Sequence, residues 1–249
     1  MIDFHTHVLS DIDDGSRDLD ESLALLREER NQGVGHIVAT PHFYADRATV
    51  EQFLQRREES LSRLARAQEE KALPRDKEEG WPQIRTGAEV YFFPGMGRAE
   101  KLPNLCVREE DGTLTDLILI EMPFVQWDGL VVQELEDILT EQRLRVVLAH
   151  VERYPDFQKD KRFWNQVMEM GQIYPLTLQI NGGSFLKGRS RRKFCLRLLE
   201  EQRNVILGSD CHNMITRVPN LEEAREVIRR KLDQGRVDLL DRTAAELLE

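Results

Sequence analysis

The six histidines of the 249-residue chain follow a pattern that suits metal chemistry. Five of them stand at or just beyond the end of a short apolar run: His5, His7, His42, His150 and His212. Alternate residues of a β-strand point to the same face, so His5 and His7 aim together. Neutral imidazole is the commonest protein ligand for metals. The histidines therefore predict a metal site at the ends of strands.

Four carboxylates occupy equivalent positions. Asp14 lies in a turn just after the first run, and Glu89 and Glu121 end two later runs. Asp210 precedes His212 by two residues, so the two share a face on a strand. The candidate ligands are His5, His7, Asp14, His42, Glu89, Glu121, His150, Asp210 and His212. This set exceeds what one ion takes, and mixed imidazole and carboxylate donors favour two to three divalent ions (manganese, iron, zinc or magnesium) over a thiolate site.

Each candidate ligand also has a structural explanation when taken alone. An isolated His-x-His pair can be hydrogen-bonded, Asp14 or Glu121 can be a surface carboxylate, and Glu89 can cap a helix. Unpaired ionisable groups at the ends of buried strands are costly, however, and here they converge on one rim. The joint pattern favours the metal site. His36, the sixth histidine, begins a strand at the opposite end and is predicted to be structural.

Short apolar runs separated by amphipathic stretches must position these side chains. The runs are Met1–His7, His36–Thr40, Ile84–Glu89, Leu117–Glu121, Val146–His150, Leu176–Ile180 and Val205–Ser209. Strands alternating with helices indicate parallel βα units. We therefore expect an α/β fold in which residues 1–249 form one domain, a distorted seven-stranded (β/α)7 barrel with its site at the carboxyl ends of the strands. An open doubly wound sheet is the alternative.

Two helical segments carry specific expectations. Asn220, with Glu223 three residues later, has the pattern of a capping box in front of a helix. Thr49–Glu70 reads as a highly charged helix with apolar residues on one side, inside the long polar segment 43–83. That segment is either a solvated surface helix, the interpretation we favour, or a flap over the site.

Composition limits the function classes. The chain is 40% hydrophobic, with a formal charge of −10, so its acidic surface argues against nucleic acids and membrane surfaces as partners. Bound divalent cations would still attract an anionic substrate. Three scattered cysteines make a poor disulfide framework and fit a reducing, cytoplasmic compartment. Neither a signal peptide nor a membrane-spanning segment is expected.

The motifs, taken in order, resemble the PHP (polymerase and histidinol phosphatase) superfamily. The similarity is strongest to its bacterial manganese-dependent protein-tyrosine phosphatases of capsule and exopolysaccharide synthesis. The matching segments are MIDFHTHVLSDIDDGS, ATPHF, GAEVYF, LIEMPF, LAHVERYP, QINGGS and GSDCHN followed by Arg217. They extend from residue 1 to about residue 219, so the resemblance covers nearly the whole chain.

The resemblance implies a seven-stranded PHP barrel with a three-ion site, manganese being favoured. By motif, the first ion is held by His5, His7, Glu89 and Asp210, the second by Glu89, Glu121 and His150, and the third by Asp14, His42 and His212. It also implies that Arg153 and Arg217 bind phosphate, since an arginine fork matches phosphate oxygens. The expected reaction is metal-assisted hydrolysis, with a hydroxide between two ions as nucleophile and His212 as one candidate proton donor to the leaving group.

The expected substrate is phosphotyrosine on a protein, such as a bacterial tyrosine kinase that regulates capsule synthesis. One alternative is a small-molecule phosphatase, for example one acting on histidinol phosphate, and another is a barrel that only binds a partner. Cys211 and Arg217 also match the C-x5-R spacing of cysteine-based tyrosine phosphatases. That chemistry needs a glycine-containing phosphate loop, which is missing here, so packing is the predicted role of Cys211.

Overall fold

Short strands alternate with helices along the chain, in a computed structural model that describes residues 1–249. The strands are β1 (Ile2–Thr6), β2 (His36–Ala39), β3 (His42–Phe43), β4 (Gln83–Thr86), β5 (Glu89–Tyr91), β6 (Leu117–Glu121), β7 (Arg145–Leu148), β8 (Leu176–Asn181) and β9 (Val205–Gly208). The α-helices are α1 (Leu19–Asn31), α2 (Val50–Glu70), α3 (Pro74–Glu79), α4 (Gly129–Thr140), α5 (Arg162–Met170), α6 (Gly183–Leu186), α7 (Arg189–Glu201), α8 (Leu221–Lys231) and α9 (Gln234–Leu247).

All strand pairs are parallel, which confirms the α/β class with parallel sheets. The strands form a three-stranded sheet, β1-β2-β4, and a six-stranded sheet, β3-β5-β6-β7-β8-β9. Both orders follow the chain without reversal, whereas a doubly wound sheet reverses at a switch point. The regular ladders do not amount to one closed seven-stranded sheet. Backbone hydrogen bonds nevertheless connect the end of β1 to the segment after β9, from His7 N to Cys211 O and from Asp210 N to His5 O.

Nine short strands stand where seven were predicted, because two of the predicted runs are interrupted. Thr40 and Pro41 separate β2 from β3, where the proline has no backbone N–H to donate. The run Ile84–Glu89 is likewise two strands, β4 and β5, and not one. Its interruption lies at Gly87, whose carbonyl accepts a 2.8 Å hydrogen bond from the buried guanidinium of Arg57. These kinks divide the ladder into its two sheets.

Most strands are buried on both faces, as expected for a parallel sheet covered by helices, while β4 is partly exposed. In β6, Leu117 and Leu119 pack with Val147 of β7 in a small inner core, while Ile118 and Ile120 belong to the large core under the helices. Alternation continues the inner face of β6 to its last residue, Glu121. A carboxylate thus ends an otherwise apolar face, at the edge where the strands finish.

The two helix predictions have different outcomes. Thr49 caps α2 through a capping box, since Gln52 N donates to Thr49 Oγ1 and Thr49 N donates to Gln52 Oε1. The structure confirms a helix here, and one face of α2 is buried, with Phe53, Ser60 and Leu64 among its buried residues. The capping box at Asn220 is wrong: its side chain makes no cap bond to α8 and instead donates to the carbonyl of Val218 at 2.9 Å.

None of the helices combines the length and the apolar character that crossing a membrane requires.

Candidate metal centre

The nine candidate ligands meet at the carboxyl edge of the strands. His5 lies on β1, Glu121 ends β6, and His150 follows β7. His42 opens β3 and Glu89 opens β5, where the two are register partners. Parallel pairing therefore brings residues 47 positions apart in sequence side by side. Seven of the nine side chains are buried; His42 is partly buried and Asp14 is exposed.

His5, His7, Glu89 and Asp210 form the first group of donors, all within 4.8 Å of one another. His5 Nε2 lies 3.1 Å from Glu89 Oε2 and 3.5 Å from Asp210 Oδ1. His7 Nε2 lies 3.3 Å and 3.5 Å from the same two oxygens. The geometry could hold one cation between two imidazoles and two carboxylates.

Glu89 connects this group to a second one. Its Oε1 lies 2.9 Å from His150 Nε2, which is also 3.2 Å from Glu121 Oε1. Its Oε2 lies 2.9 Å from His42 Nδ1. The donors of His42, Glu89 and Glu121 lie mutually within 4.8 Å. His42 thus stands beside the expected set of Glu89, Glu121 and His150.

The third group is the most open. Asp14 Oδ1 lies 3.4 Å from His42 Nε2 and 3.5 Å from His212 Nε2. His7 joins these residues, since the donors of all four lie within 4.8 Å of one another. Because the Asp14 side chain is 68% exposed, this group faces the solvent side of the cluster.

Five buried ligand atoms of the cluster make no hydrogen bond: His42 Nδ1, Glu89 Oε2, His150 Nδ1, Asp210 Oδ1 and His212 Nε2. Of these, His42 Nδ1 and Glu89 Oε2 lie against each other, and Asp210 Oδ1 lies against the Arg217 guanidinium, as ion pairs. Burying a polar atom without a partner costs about 1–3 kcal/mol, and a charged one costs more. Four of the five atoms are among those that approach one another in the three groups. Cations shared between them would satisfy these atoms, so the donor set fits divalent metal ions.

The charges of two ligands fit the same conclusion, whereas burial lowers the pKa of His7, His42 and His150 but the surrounding carboxylates outweigh it and raise their pKa values. Burial raises the pKa of Glu89, but contacts with His5, His150 and His42 outweigh it and hold the pKa well below its ordinary value. Burial, together with neighbouring His7, lowers the pKa of His212 to about 3. Glu89 is therefore an anion and His212 is neutral at pH 7, and both are the forms that bind a metal.

Two candidate ligands have left-handed backbone conformations. His150 has φ = 31° and Asp210 has φ = 53°, both unusual for residues other than glycine. Strained backbone of this kind clusters at functional sites, where the surroundings hold a side chain in place.

The strands that carry the ligands also approach closely at Gly208, where an added Cβ would lie 2.6 Å from the Cβ of His5. Because Gly208 has no Cβ, β9 can approach β1 closely beside His5.

Three side chains that the sequence did not single out orient the candidate ligands. Asp13 Oδ2 accepts from His7 Nδ1 at 2.7 Å and from the backbone N of His42 at 2.9 Å. Gln179 Oε1 accepts from His5 Nδ1 at 3.1 Å and from the backbone N of His150 at 2.7 Å. Such partners fix the tautomer and direction of a metal-binding imidazole.

Asn181 is the third of these residues, and its side chain donates to Asp210 Oδ2 at 2.8 Å. Gln179 and Asn181 alternate on β8, a strand that supplies no candidate ligand of its own. Two polar residues at alternate positions of an otherwise apolar strand could have indicated this role from the sequence. Asn181 ends the strand at the same edge as the ligands, and Gln179 shares its face.

The two arginines implied by the resemblance flank Asp210. Arg217 Nη2 lies 2.6 Å from Asp210 Oδ1, and Arg153 Nη1 lies 3.9 Å from Asp210 Oδ2. Both guanidiniums remain partly exposed, at 35% and 44%. They line one cavity of about 690 Å³ together with Asp210. An anion entering this cavity would meet two forked cations at the edge of the metal-binding groups.

Cys211 points away from the cluster. It is fully buried, and its Sγ lies 3.6 Å from Glu29 Oε1. Burial and the nearby carboxylates of Glu29 and Asp3 hold the pKa of its thiol well above its ordinary value. A nucleophilic cysteine needs a lowered pKa and access to substrate. The surroundings of Cys211 give it neither, in agreement with a packing role.

The fold and these groups define an α/β protein with a candidate polynuclear metal centre at the carboxyl ends of its strands. The chain belongs to the CpsB/CapC family, whose model, described as "Capsular polysaccharide synthesis, CpsB/CapC", matches residues 1–249. This confirms the resemblance to the capsule-type phosphatases.

Curated relatives agree with the family assignment. Tyrosine-protein phosphatase CpsB of Streptococcus agalactiae is 30% identical, covering 96% of this chain and 94% of that protein. Tyrosine-protein phosphatase YwqE of Bacillus subtilis is 29% identical, covering 100% of this chain and 91% of that protein. The chain also matches a solved structure from a study of YwqE from Bacillus subtilis and CpsB from Streptococcus pneumoniae, which are described there as metal-dependent tyrosine phosphatases. Its TM-score is 0.78 at 26% identity, covering 100% of this chain and 94% of that one.

Proposed function

We propose that this chain is a metal-dependent protein-tyrosine phosphatase, which hydrolyses the phosphomonoester of phosphotyrosine on a protein. One observation carries the proposal: Arg153 and Arg217 converge on Asp210 at the edge of three groups of metal-type donors. Arginine forks bind phosphate oxygens in two-pronged fashion. The phosphatase names of the relatives support the same activity.

The proposed site holds two to three divalent ions, of which manganese is the favoured choice. One ion would be held by His5, His7, Asp210 and Glu89. A second ion would be held by Glu121, His150 and the same Glu89. Asp14, His42 and His212 would hold a third, with His42 close enough to serve the second as well. When bound, such ions polarise the phosphoryl group and lower the pKa of a water to about 7, which supplies the nucleophile for in-line hydrolysis.

The residues of the chain bind, orient and stabilise charge. Arg153 and Arg217 would hold the phosphate oxygens and stabilise the charge that develops on them. Both guanidiniums lie against Asp210, so that carboxylate positions them beside the metal-binding groups. His212 was a candidate proton donor. Its lowered pKa of about 3 favours the ligand role, because a neutral imidazole that binds a metal has no proton to give at that nitrogen.

We further propose that residues 1–249 form one domain in which the two sheets make a seven-stranded PHP-type barrel. On this interpretation β2 with β3 and β4 with β5 are each one kinked strand. Backbone bonds that continue across the kinks, such as Glu89 N to Pro41 O at 3.0 Å, support this. Closure would use the bonds from His7 N to Cys211 O and from Asp210 N to His5 O.

The proposed partner is a tyrosine-phosphorylated protein, specifically a bacterial tyrosine kinase of capsule or exopolysaccharide synthesis. The family description, capsular polysaccharide synthesis, supports this choice. A cytoplasmic location follows from the same proposal, since such a substrate is phosphorylated there. Three buried, unpaired cysteines are compatible with it.

Turnover of a phosphotyrosine peptide tests the activity. The purified chain in Mn²⁺ should release phosphate, lose activity in excess chelator and regain it when Mn²⁺ is restored. Arg153→Lys and Arg217→Lys serve as matched variants that keep the charge but lose the fork. Each should reduce kcat/KM by about tenfold or more. Metal-replete protein without turnover would contradict the proposal and leave a partner-binding role.

A small-molecule phosphatase is the alternative, with histidinol phosphate as its representative substrate. The same assay separates the two by comparing kcat/KM for the phosphotyrosine peptide and for histidinol phosphate. A larger value for histidinol phosphate would overturn the protein-phosphatase assignment.

A further inference from the structure

Two phenylalanines form an aromatic wall beside the proposed phosphate site. Phe124, just after β6, is partly buried, and Phe157, which follows the 3-10 helix Val151–Asp156, is 43% exposed. Their ring centroids lie 5.4 Å apart. The neighbouring Val125 is 57% exposed, so the apolar surface extends beyond the two rings. Adjoining exposed apolar side chains at a site indicate a ligand or partner surface.

The position of Phe124 connects this wall to the catalytic cluster. Its ring stacks on that of His150, with centroids 5.7 Å apart and planes tilted by 21°. The guanidinium carbon of Arg153 lies 4.9 Å from the Phe124 ring centroid, on its face. Phe124 thus contacts both a candidate metal ligand and a proposed phosphate-binding arginine.

We propose that Phe124 and Phe157 are the binding platform for the phenyl ring of phosphotyrosine, and that they set the preference for aryl over alkyl phosphates. This inference rests on the proposed function. One ester oxygen joins the ring of phosphotyrosine to phosphorus. A phosphate held by Arg153 therefore brings the ring to the side chains around that guanidinium. Aromatic rings pair edge-to-face or offset at about 4.5–7 Å, which the exposed Phe157 permits.

A second aromatic group stands on the other side of the cluster and is the rival platform. Tyr44 lies 5.3 Å from His42 and 5.6 Å from Tyr91 between ring centroids. The guanidinium of Arg47 covers one face of Tyr44 at 4.3 Å. The cation–π contact of Tyr44 is with Arg47, whereas that of Arg153 is with Phe124. The wall of Phe124 and Phe157 is therefore the better placed of the two.

Competitive inhibition by phenylphosphonate and methylphosphonate tests the platform, because the two share a phosphonate and differ in the ring. In the metal-loaded wild-type enzyme, phenylphosphonate should bind more tightly. Phe157→Ala and Phe124→Leu should each raise the inhibition constant of phenylphosphonate by about tenfold, and that of methylphosphonate by less than about twofold. For a phosphotyrosine peptide the loss should fall on KM more than on kcat.

The controls separate this role from a structural one. Ile173→Ala removes a 75% exposed apolar side chain just before β8, at the opposite end of the strand from the site, and should change neither inhibitor. Tyr44→Leu tests the rival wall. The platform would be overturned if Phe157→Ala and Phe124→Leu kept the wild-type ratio of phenylphosphonate to methylphosphonate affinity. It would also be overturned if Tyr44→Leu lost that ratio instead. Wild-type enzyme that fails to hydrolyse the phosphotyrosine peptide would instead contradict the proposed function.

Discussion

The Nε2 atoms of His5 and His7 face each other at 3.1 Å. The other ring nitrogen of each histidine contacts an acceptor, the amide oxygen of Gln179 for His5 and the carboxylate of Asp13 for His7. Each Nδ1 therefore donates to its own acceptor, and the two Nε2 atoms are left to face the cluster together. Two ligands about 2.1 Å from one ion and about 90–110° apart are separated by about 3.0–3.4 Å. The pair has the spacing of two ligands on one metal ion.

Metal content is the first prediction. Metal-replete, active protein should carry two to three divalent ions per chain, because three donor groups are linked pairwise through His7, Glu89 and His42. Elemental analysis after gel filtration measures this directly. A content of one ion or less in fully active protein would contradict a polynuclear site.

Glu89→Gln should disturb more than one ion. Glu89 Oε2 contacts His5 and Oε1 contacts His150, so its two oxygens reach different groups. The amide keeps the shape of the side chain but removes its charge. We therefore expect the variant to lose two ions and its kcat to fall by at least about 100-fold. Loss of only one ion, with turnover near that of wild type, would argue against a bridging role.

Asp13→Asn should weaken metal binding without removing a ligand. Asp13 holds His7 through a 2.7 Å hydrogen bond. Loss of such an orienting carboxylate costs about 10–100-fold in metal affinity. Activity titrated with Mn²⁺ should therefore recover at higher metal concentration. Asp11→Asn, in the same turn but 61% exposed, is the matched control and should titrate like wild type.

Cys211→Ser should retain most activity with p-nitrophenyl phosphate in excess Mn²⁺. The thiol is buried against Glu29, away from the cluster, and serine is small enough to replace it. His5→Ala should abolish turnover under the same conditions, because a ligand is lost. A folded, metal-loaded Cys211→Ser variant without activity would show that the cysteine does chemistry.

Asp76 gives a prediction for stability. Burial raises the pKa of Asp76, but hydrogen bonds from Arg27, Leu73 N and Arg30 outweigh it and lower the pKa to about 2. The carboxylate thus contributes stability above its unfolded-state pKa of about 3.9, and this contribution is lost as pH falls from about 4 to 2. Asp76→Asn should reduce the free energy of unfolding by about 1–3 kcal/mol at pH 7.

Urea denaturation of wild type and variant at several pH values measures the difference, which should shrink below about pH 4. Glu79→Gln is the control, since Glu79 is 42% exposed and contacts Arg30 and Arg75 at the surface. Its effect should stay within about 0.5 kcal/mol. A constant difference between wild type and Asp76→Asn from pH 7 to pH 2 would show that ionisation of Asp76 does not contribute.

The sequence by itself determined the α/β class and the family, because strand periodicity and the order of the motifs are local properties. It also placed the candidate ligands at strand ends, since parallel strands finish at one edge. That the same residues bind metal stays a prediction. The interruptions of two predicted runs, at Thr40–Pro41 and at Gly87, were not foreseen, and the second involves a contact with Arg57 that depends on a helix packed from elsewhere.

Only the tertiary structure decided how the site is supported. Asp13, Gln179 and Asn181 are ordinary polar residues until folding brings them to His7, His5 and Asp210. The contacts of Phe124 with His150 and Arg153 likewise join strand ends that are distant in sequence. Local periodicity tells which face a side chain takes, but contacts between elements depend on how β6, β7 and β8 pair and how tightly their ends approach.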